Sequence, residues 1–167
     1  SLTVPLAASA TPSDAALRLS YRDLAVSDEV WGLMDPTGGL PRNPVTLILD
    51  ATAQVQLVAD LLSEEVMEMS APPGELRALS VSELEVTFGD TSLTGTADVT
   101  FAPGQLVPQP VGRADLSLVG GNALLDQLQG AGVVNAEQAG MARGVAGMFS
   151  RPGALPDTLE TTIEFLE

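Results

Sequence analysis

The most constraining feature of the sequence is the run Val45–Leu57, in which apolar and polar side chains alternate. Leu47, Leu49, Ala51, Ala53, Val55 and Leu57 share one phase, and Thr46, Asp50, Thr52, Gln54 and Gln56 the other, with Ile48 the exception. Successive side chains of a strand point to opposite faces, so this pattern predicts a strand with one face buried. At roughly 13 residues the run far exceeds the usual five or six, and a sheet that long must twist or curve.

The next run, residues 76–88, changes phase. Leu79 and Val81 fall on odd positions, whereas Leu84, Val86 and Phe88 fall on even ones. An inserted residue near Ser82-Glu83, a β-bulge, reconciles the two halves. Gly89-Asp90 then predicts a tight turn into Leu93, Ala97, Val99 and Phe101, so residues 76–102 read as a hairpin. Further strands are expected at 112–119, carrying Ala114, Leu116 and Leu118, and at 158–166, where Leu159, Thr161, Ile163 and Phe165 alternate with Glu160, Thr162 and Glu164. Two apolar segments come earlier, 2–8 and 16–25. In the second, Leu17, Leu19 and Tyr21 alternate with Arg18, Ser20 and Arg22.

Residues 120–151 have a different texture. Asn122 is expected to cap a helix at 123–129 with Leu124, Leu125 and Leu128 on one face. Asn135 with Gln138 forms a capping-box pattern for a helix at Ala136–Phe149, whose apolar stripe is Met141, Val145, Met148 and Phe149. Arg151-Pro152-Gly153 stops it. Gly140, Gly144 and Gly147 give that helix a small-residue side. In a long apolar span this would suggest membrane dimerisation. With Glu137 and Arg143 present, close packing on a sheet is the better reading, and an exposed lid the other, since glycine weakens helicity. Asp28–Met34, with Trp31, and the acidic stretch 60–69 predict helical turns, and residues 35–44 and 71–74 are dense in turn residues. No fixed-period repeat interrupts the pattern. The expected class is α+β: one domain over residues 1–167, a predominantly antiparallel, long curved β-sheet with two helices inserted near the C-terminal end.

Composition narrows the chemistry. The 167 residues include 7 basic side chains, all Arg, against 22 Asp plus Glu, with no His and no Cys, for a net charge of −15. No imidazole base, thiol nucleophile, Schiff-base lysine or Cys/His metal centre can be built. Nucleic acid is not an expected partner of so acidic a chain.

The remaining motifs favour bland readings. Asp35-Pro36-Thr37-Gly38 breaks the Asp-Thr-Gly order of an aspartic-protease loop and reads as a turn. Paired acids such as Glu83 and Glu85, or Glu160 and Glu164, lie on polar strand phases, where solvation rather than glycoside chemistry is expected. Asp60, Glu64, Glu65 and Glu68 lack a calcium-loop pattern. Gly120-Gly121-Asn122 precedes a helix as an anion site would, but no basic residue supports it, and a strand-to-helix turn is the better reading.

Three stretches carry a resemblance: Gly39-Leu40-Pro41-Arg42-Asn43-Pro44-Val45-Thr46-Leu47-Ile48-Leu49-Asp50, then Leu84-Glu85-Val86 running on to Leu93-Thr94-Gly95-Thr96-Ala97-Asp98, then Asp115-Leu116-Ser117-Leu118-Val119-Gly120-Gly121-Asn122-Ala123-Leu124-Leu125-Asp126. In this order, over about residues 35–167, they resemble the C-terminal part of an uncharacterised alphaproteobacterial envelope family, domain of unknown function 2125. The strand phrasing is loosely similar to AsmA-like envelope proteins, whose curved sheets hold lipid chains. The resemblance implies a longer exported protein, periplasmic or anchored facing the periplasm, that meets the membrane only through segments outside this chain. The expected function is a non-enzymatic structural or protein-interaction module with no catalytic residue, cofactor or metal, and with an envelope protein or lipid as partner. The alternative is lipid or hydrophobic-ligand binding in an apolar groove formed by Leu47, Leu49, Val55, Leu57, Val86 and Phe88. A binder leaves such residues partly uncovered in a trough, and a closed domain buries them.

Overall fold

The computed structural model describes residues 1–25, 27–34, 38, 42–69, 72–105 and 108–166, without the side chains of Met34 and Glu65. The expected turn at Asp35-Pro36-Thr37, together with Gly39-Leu40-Pro41, Ala71 and part of the loop before residue 110, lies outside the described residues.

Among the described residues, eight strands form a single sheet: β1 (Leu2–Thr3), β2 (Ser13–Leu24), β3 (Val45–Leu57), β4 (Gly74–Phe88), β5 (Thr91–Phe101), β6 (Pro110–Val119), β7 (Arg151–Pro152) and β8 (Thr158–Phe165). Their spatial order is β1-β2-β3-β4-β5-β6-β8-β7, and every pairing is antiparallel. The chain therefore meanders, swapping order only at the last hairpin. Helices α1 (Asp28–Met34), α2 (Glu64–Glu68), α3 (Gly121–Gly130) and α4 (Ala136–Phe149) fill the connections. The α+β class and the curved antiparallel sheet hold.

Strand β3 spans the residues expected. Strand β4 carries the expected bulge: Asp50 pairs with Glu83 and Ala51 with Val81, leaving Ser82 as the extra residue. A second, unanticipated bulge leaves out Arg77, between the pairs Gln54–Ala78 and Val55–Leu76. The hairpin closes through Gly89-Asp90, with Phe88 opposite Thr91. Of the apolar segment 2–8, only Leu2–Thr3 is a strand.

Helix α1 begins after Ser27, whose carbonyl accepts from the Trp31 N–H at 2.8 Å. The capping box of α4 is complete: Asn135 Oδ1 accepts from the Gln138 N–H at 2.8 Å, and Gln138 Oε1 accepts from the Asn135 N–H at 2.9 Å. The expected cap of α3 is corrected. Gly120, not Asn122, is the N-cap, at φ 73° and ψ 16°. A Cβ there would sit 2.8 Å from the Asp90 carbonyl, so this left-handed position requires glycine. The α3 N–H groups are satisfied from across the sequence, by Asp157.

The orientation of α4 is also corrected. Gly140, Gly144 and Gly147 have nothing within 4 Å of an added Cβ, so they make no close packing. Ala139 is the buried residue of the helix, and Met141, Val145, Met148 and Phe149 are exposed. The helix lies against its neighbours by small side chains and turns its apolar stripe outward.

Candidate functional site

Register carries the alternation of each strand to its neighbours and builds a two-faced sheet. Leu49 lies opposite Leu19 on one side and Leu84 on the other, and the row continues through Gly95, Leu116 and Thr161. One step away, Leu47 lies between Tyr21 and Val86, followed by Leu93, Leu118 and Leu159. Neither row contains a carboxylate or a guanidinium. Because facing Cβ atoms of paired strands lie about 5 Å apart, the rows merge into one apolar surface.

The six residues expected to line a groove all lie on this face. Leu47, Leu49, Val55, Val86 and Phe88 are half-buried, whereas Leu57, at the end of β3 opposite Gly74, is 5% exposed. At the other end Phe88 stacks on the buried Trp31, with ring centroids 6.4 Å apart. The trough is open along its middle and closed at its ends. The solvent-exposed area tells the same story: 11103 Å² for a 17.2 kDa chain. A folded monomer of this mass exposes about 7,800 Å², so roughly 3,300 Å² more surface is uncovered than a complete globule leaves.

A deeper part of the face was not foreseen. Where α4 leans over β5, β6 and β8, a cleft of about 180 Å³ is lined by Leu93, Leu116, Leu118, Leu159, Ala146 and Phe149, with the hydroxyls of Ser150 and Thr161. Both hydroxyls are already engaged: Ser150 Oγ donates to the Ala146 carbonyl at 2.6 Å, and Thr161 Oγ1 donates to the Phe149 carbonyl. The cleft holds about six waters by volume but has no free polar group to bind them, a setting that favours alkyl occupancy. Each lining leucine was legible as a strand residue; only the packing of α4 brings them together.

One polar cluster positions that cover. Asp157, in the turn before β8, accepts from the Asn122 N–H at 3.2 Å, the Ala123 N–H at 3.0 Å and Asn122 Nδ2 at 2.6 Å. Arg143 of α4 donates to Asn122 Oδ1 at 3.1 Å and to Asp126 Oδ1 at 2.7 Å, tying α4 to α3. The Ala123 N–H, with further help from Asn122 and Arg143, holds the Asp157 carboxyl below the usual carboxylate range.

The opposite face is polar. One concavity there, about 410 Å³, is lined by residues including Glu83, Glu85, Thr94, Thr96, Ser117 and Glu160. Beside it the Arg113 guanidinium grips Asp115 through two 2.7 Å hydrogen bonds, and the Thr162 hydroxyl adds a third at 2.6 Å. The Arg113 hydrogen bonds, joined by that of Thr162, lower the Asp115 pKa, and the same pairing raises that of Arg113. Each shift favours the form already charged at neutral pH, the opposite of what a proton-transferring group requires. Among the described residues no cluster of three or more potential ligands could hold a metal ion, and no helix is long and apolar enough to cross a membrane.

The architecture thus defines an open antiparallel sheet protein with one uncovered apolar face. The chain matches the model of a family described as an uncharacterised protein conserved in bacteria, domain of unknown function 2125, over residues 2–167, and belongs to that family. The match reaches further toward the N-terminus than the motifs that carried the resemblance. No curated protein and no solved structure matches the chain.

Proposed function

We propose that this protein is a non-enzymatic module of the bacterial envelope, acting in the periplasm, that holds the alkyl chains of a lipid against the apolar face of its sheet. The observation that carries the reading is the uncharged, half-exposed surface running from Leu19 through Leu49 and Leu84 to Leu116, with the apolar cleft beneath α4 at one end. Burying such a surface stabilises a complex by about 25 cal/mol per Å², and an alkyl chain leaves no unpaired polar group behind. Where sequence chemistry is concerned, the absence of His, Cys and Lys and the directions of the resolved ionisation shifts both weigh against catalysis.

A second reading, a structural module covered by another protein, is favoured by the size of the uncovered area. Covering an excess of roughly 3,300 Å² on one partner buries about 6,600 Å² over both, the size of the largest obligate protein interfaces. Native mass spectrometry of gently purified protein, with extraction of bound lipid, separates the two. Copurified lipid, or uptake of added phospholipid that is lost in Leu49→Asp and Leu84→Asp, supports the lipid reading. Bare protein that takes up no phospholipid refutes it.

A further inference from the structure

On the basis of the lipid reading above, we infer that the cleft under α4 receives the terminal segment of an alkyl chain, and that Gly95 and Gly121 set its depth. Unlike the open trough, the cleft has both a floor and a roof. Leu93, Leu116, Leu118 and Leu159, from the three neighbouring strands β5, β6 and β8, make the floor. The C-terminal half of α4 makes the roof.

Two glycines keep that space clear. A Cβ at Gly95 would lie 2.5 Å from Leu116 Cδ2, and one at Gly121 would lie 2.8 Å from Leu118 Cδ2. Each leucine therefore tips its end into the gap left by a missing side chain, Leu116 toward β5 and Leu118 toward the start of α3. Neither glycine has the left-handed backbone that itself calls for glycine. What their bareness serves is the placement of the two leucine tips. A side chain at either position presses its leucine back into the cleft.

Chemistry selects the occupant. Ser150 and Thr161 commit their hydroxyls to backbone carbonyls, so a polar group inside the cleft would go unpaired, whereas an alkyl segment brings no such group. The volume of about 180 Å³ admits about six methylene groups, each close to a water in size. Phe149 lines the same space yet is 71% exposed, which puts its ring at the rim. From Leu93 the floor continues through Val86 to Leu47 without a charged side chain. A chain ending under α4 thus runs out across the strands onto the open face, its head group outermost.

The test uses dodecylphosphocholine with a photoreactive diazirine at its chain end, below its micelle-forming concentration. Its zwitterionic head avoids repulsion by a chain of net charge −15. After irradiation and cleavage at arginine, adducts concentrate on fragments 114–143 and 144–167, which carry most of the cleft. Fragment 43–77, which carries Leu47, Leu49, Val55 and Leu57 of the trough, stays largely unlabelled. Gly95→Ala moves the Leu116 tip into the cleft and weakens binding about fourfold or more, as expected for at least one methylene left unburied. Leu116→Ala in that background removes the tip and restores affinity, a rescue that a damaged fold would not show. Adducts mainly on any other fragment, or an affinity indifferent to Gly95→Ala, overturn the inference and leave the lipid reading standing. No uptake of the probe overturns both.

Discussion

Replacing Asp157 by Asn tests whether α3 is held by a residue from the far hairpin. Asp157 has φ 49°, a left-handed conformation that Asn also tolerates, so the substitution leaves the backbone unstrained. The amide keeps one oxygen for the Asn122 N–H but turns an NH₂ toward the Ala123 N–H, losing a 3.0 Å bond and the negative charge at the helix N-terminus. Losing a capping acceptor costs about 0.5–2 kcal/mol, and the lost charge–dipole attraction about 0.3–1 kcal/mol. With one acceptor retained, the net cost is about 1 kcal/mol, or roughly 2–4 °C in Tm for a chain of this size. The pH dependence follows from the lowered pKa. A carboxyl with a folded pKa below its unfolded value near 4 contributes stability that is fully present above that value. The contribution is lost as pH falls through the folded pKa. Thermal unfolding by circular dichroism should therefore show wild type and variant separated at pH 7 and converging below about pH 4. An unchanged Tm at neutral pH, or a gap that persists in acid, would refute the capping role.

Three further outcomes follow from the packing of α3 and α4. Gly120→Ala combines positive φ with a Cβ 2.8 Å from the Asp90 carbonyl, so chemical denaturation should show a loss of about 1–3 kcal/mol. Ala139→Leu overfills the one wholly buried position of α4 and should cost about 1–3 kcal/mol, whereas Met148→Gln on the outward stripe should change stability by less than about 0.5 kcal/mol. The reverse ranking would mean that α4 packs by its methionines. Asn135→Ala removes the side-chain acceptor of the Gln138 N–H, while the bond from the residue 135 N–H to Gln138 Oε1 stays, and should lower stability by about 1 kcal/mol, read as a shift in denaturation midpoint at unchanged slope.

Local pattern carried most of the sheet. The alternation of Val45–Leu57, the phase change at Ser82 and the Gly89-Asp90 turn each depend on neighbours within a few residues, and each is found in the structure. The same holds for the Asn135–Gln138 box. What local pattern misses is partnership across distance. Asn122 has the right residue type for a cap, yet it lies inside the first turn of α3, and the acceptor is Asp157, 35 residues on. Helix α4 misleads for another reason. An apolar stripe ordinarily faces the core, but here Ala139 faces inward, Arg143 is fixed to Asn122 and Asp126, and Met141, Val145 and Met148 face solvent. The six groove residues were legible as one face; the cleft under α4 was not, because it exists only once the helix is docked.

The two bulges of β4 separate the shape of the apolar face from its chemistry. Read without Arg77 and Ser82, the strand alternates without interruption: Leu76, Leu79, Val81, Leu84, Val86 and Phe88 on one side, and Glu75, Ala78, Ser80, Glu83, Glu85 and Thr87 on the other. The inserted residues add nothing to that code; they bend the strand and sharpen its twist, in the middle of the sheet. Losing one of them alone throws a stretch of leucines onto the wrong side, while losing both together leaves the pattern whole and the sheet flatter. Curvature in this molecule is therefore a trait inherited in units of one residue, open to change by insertion or deletion while every side chain that makes the surface greasy stays as it is.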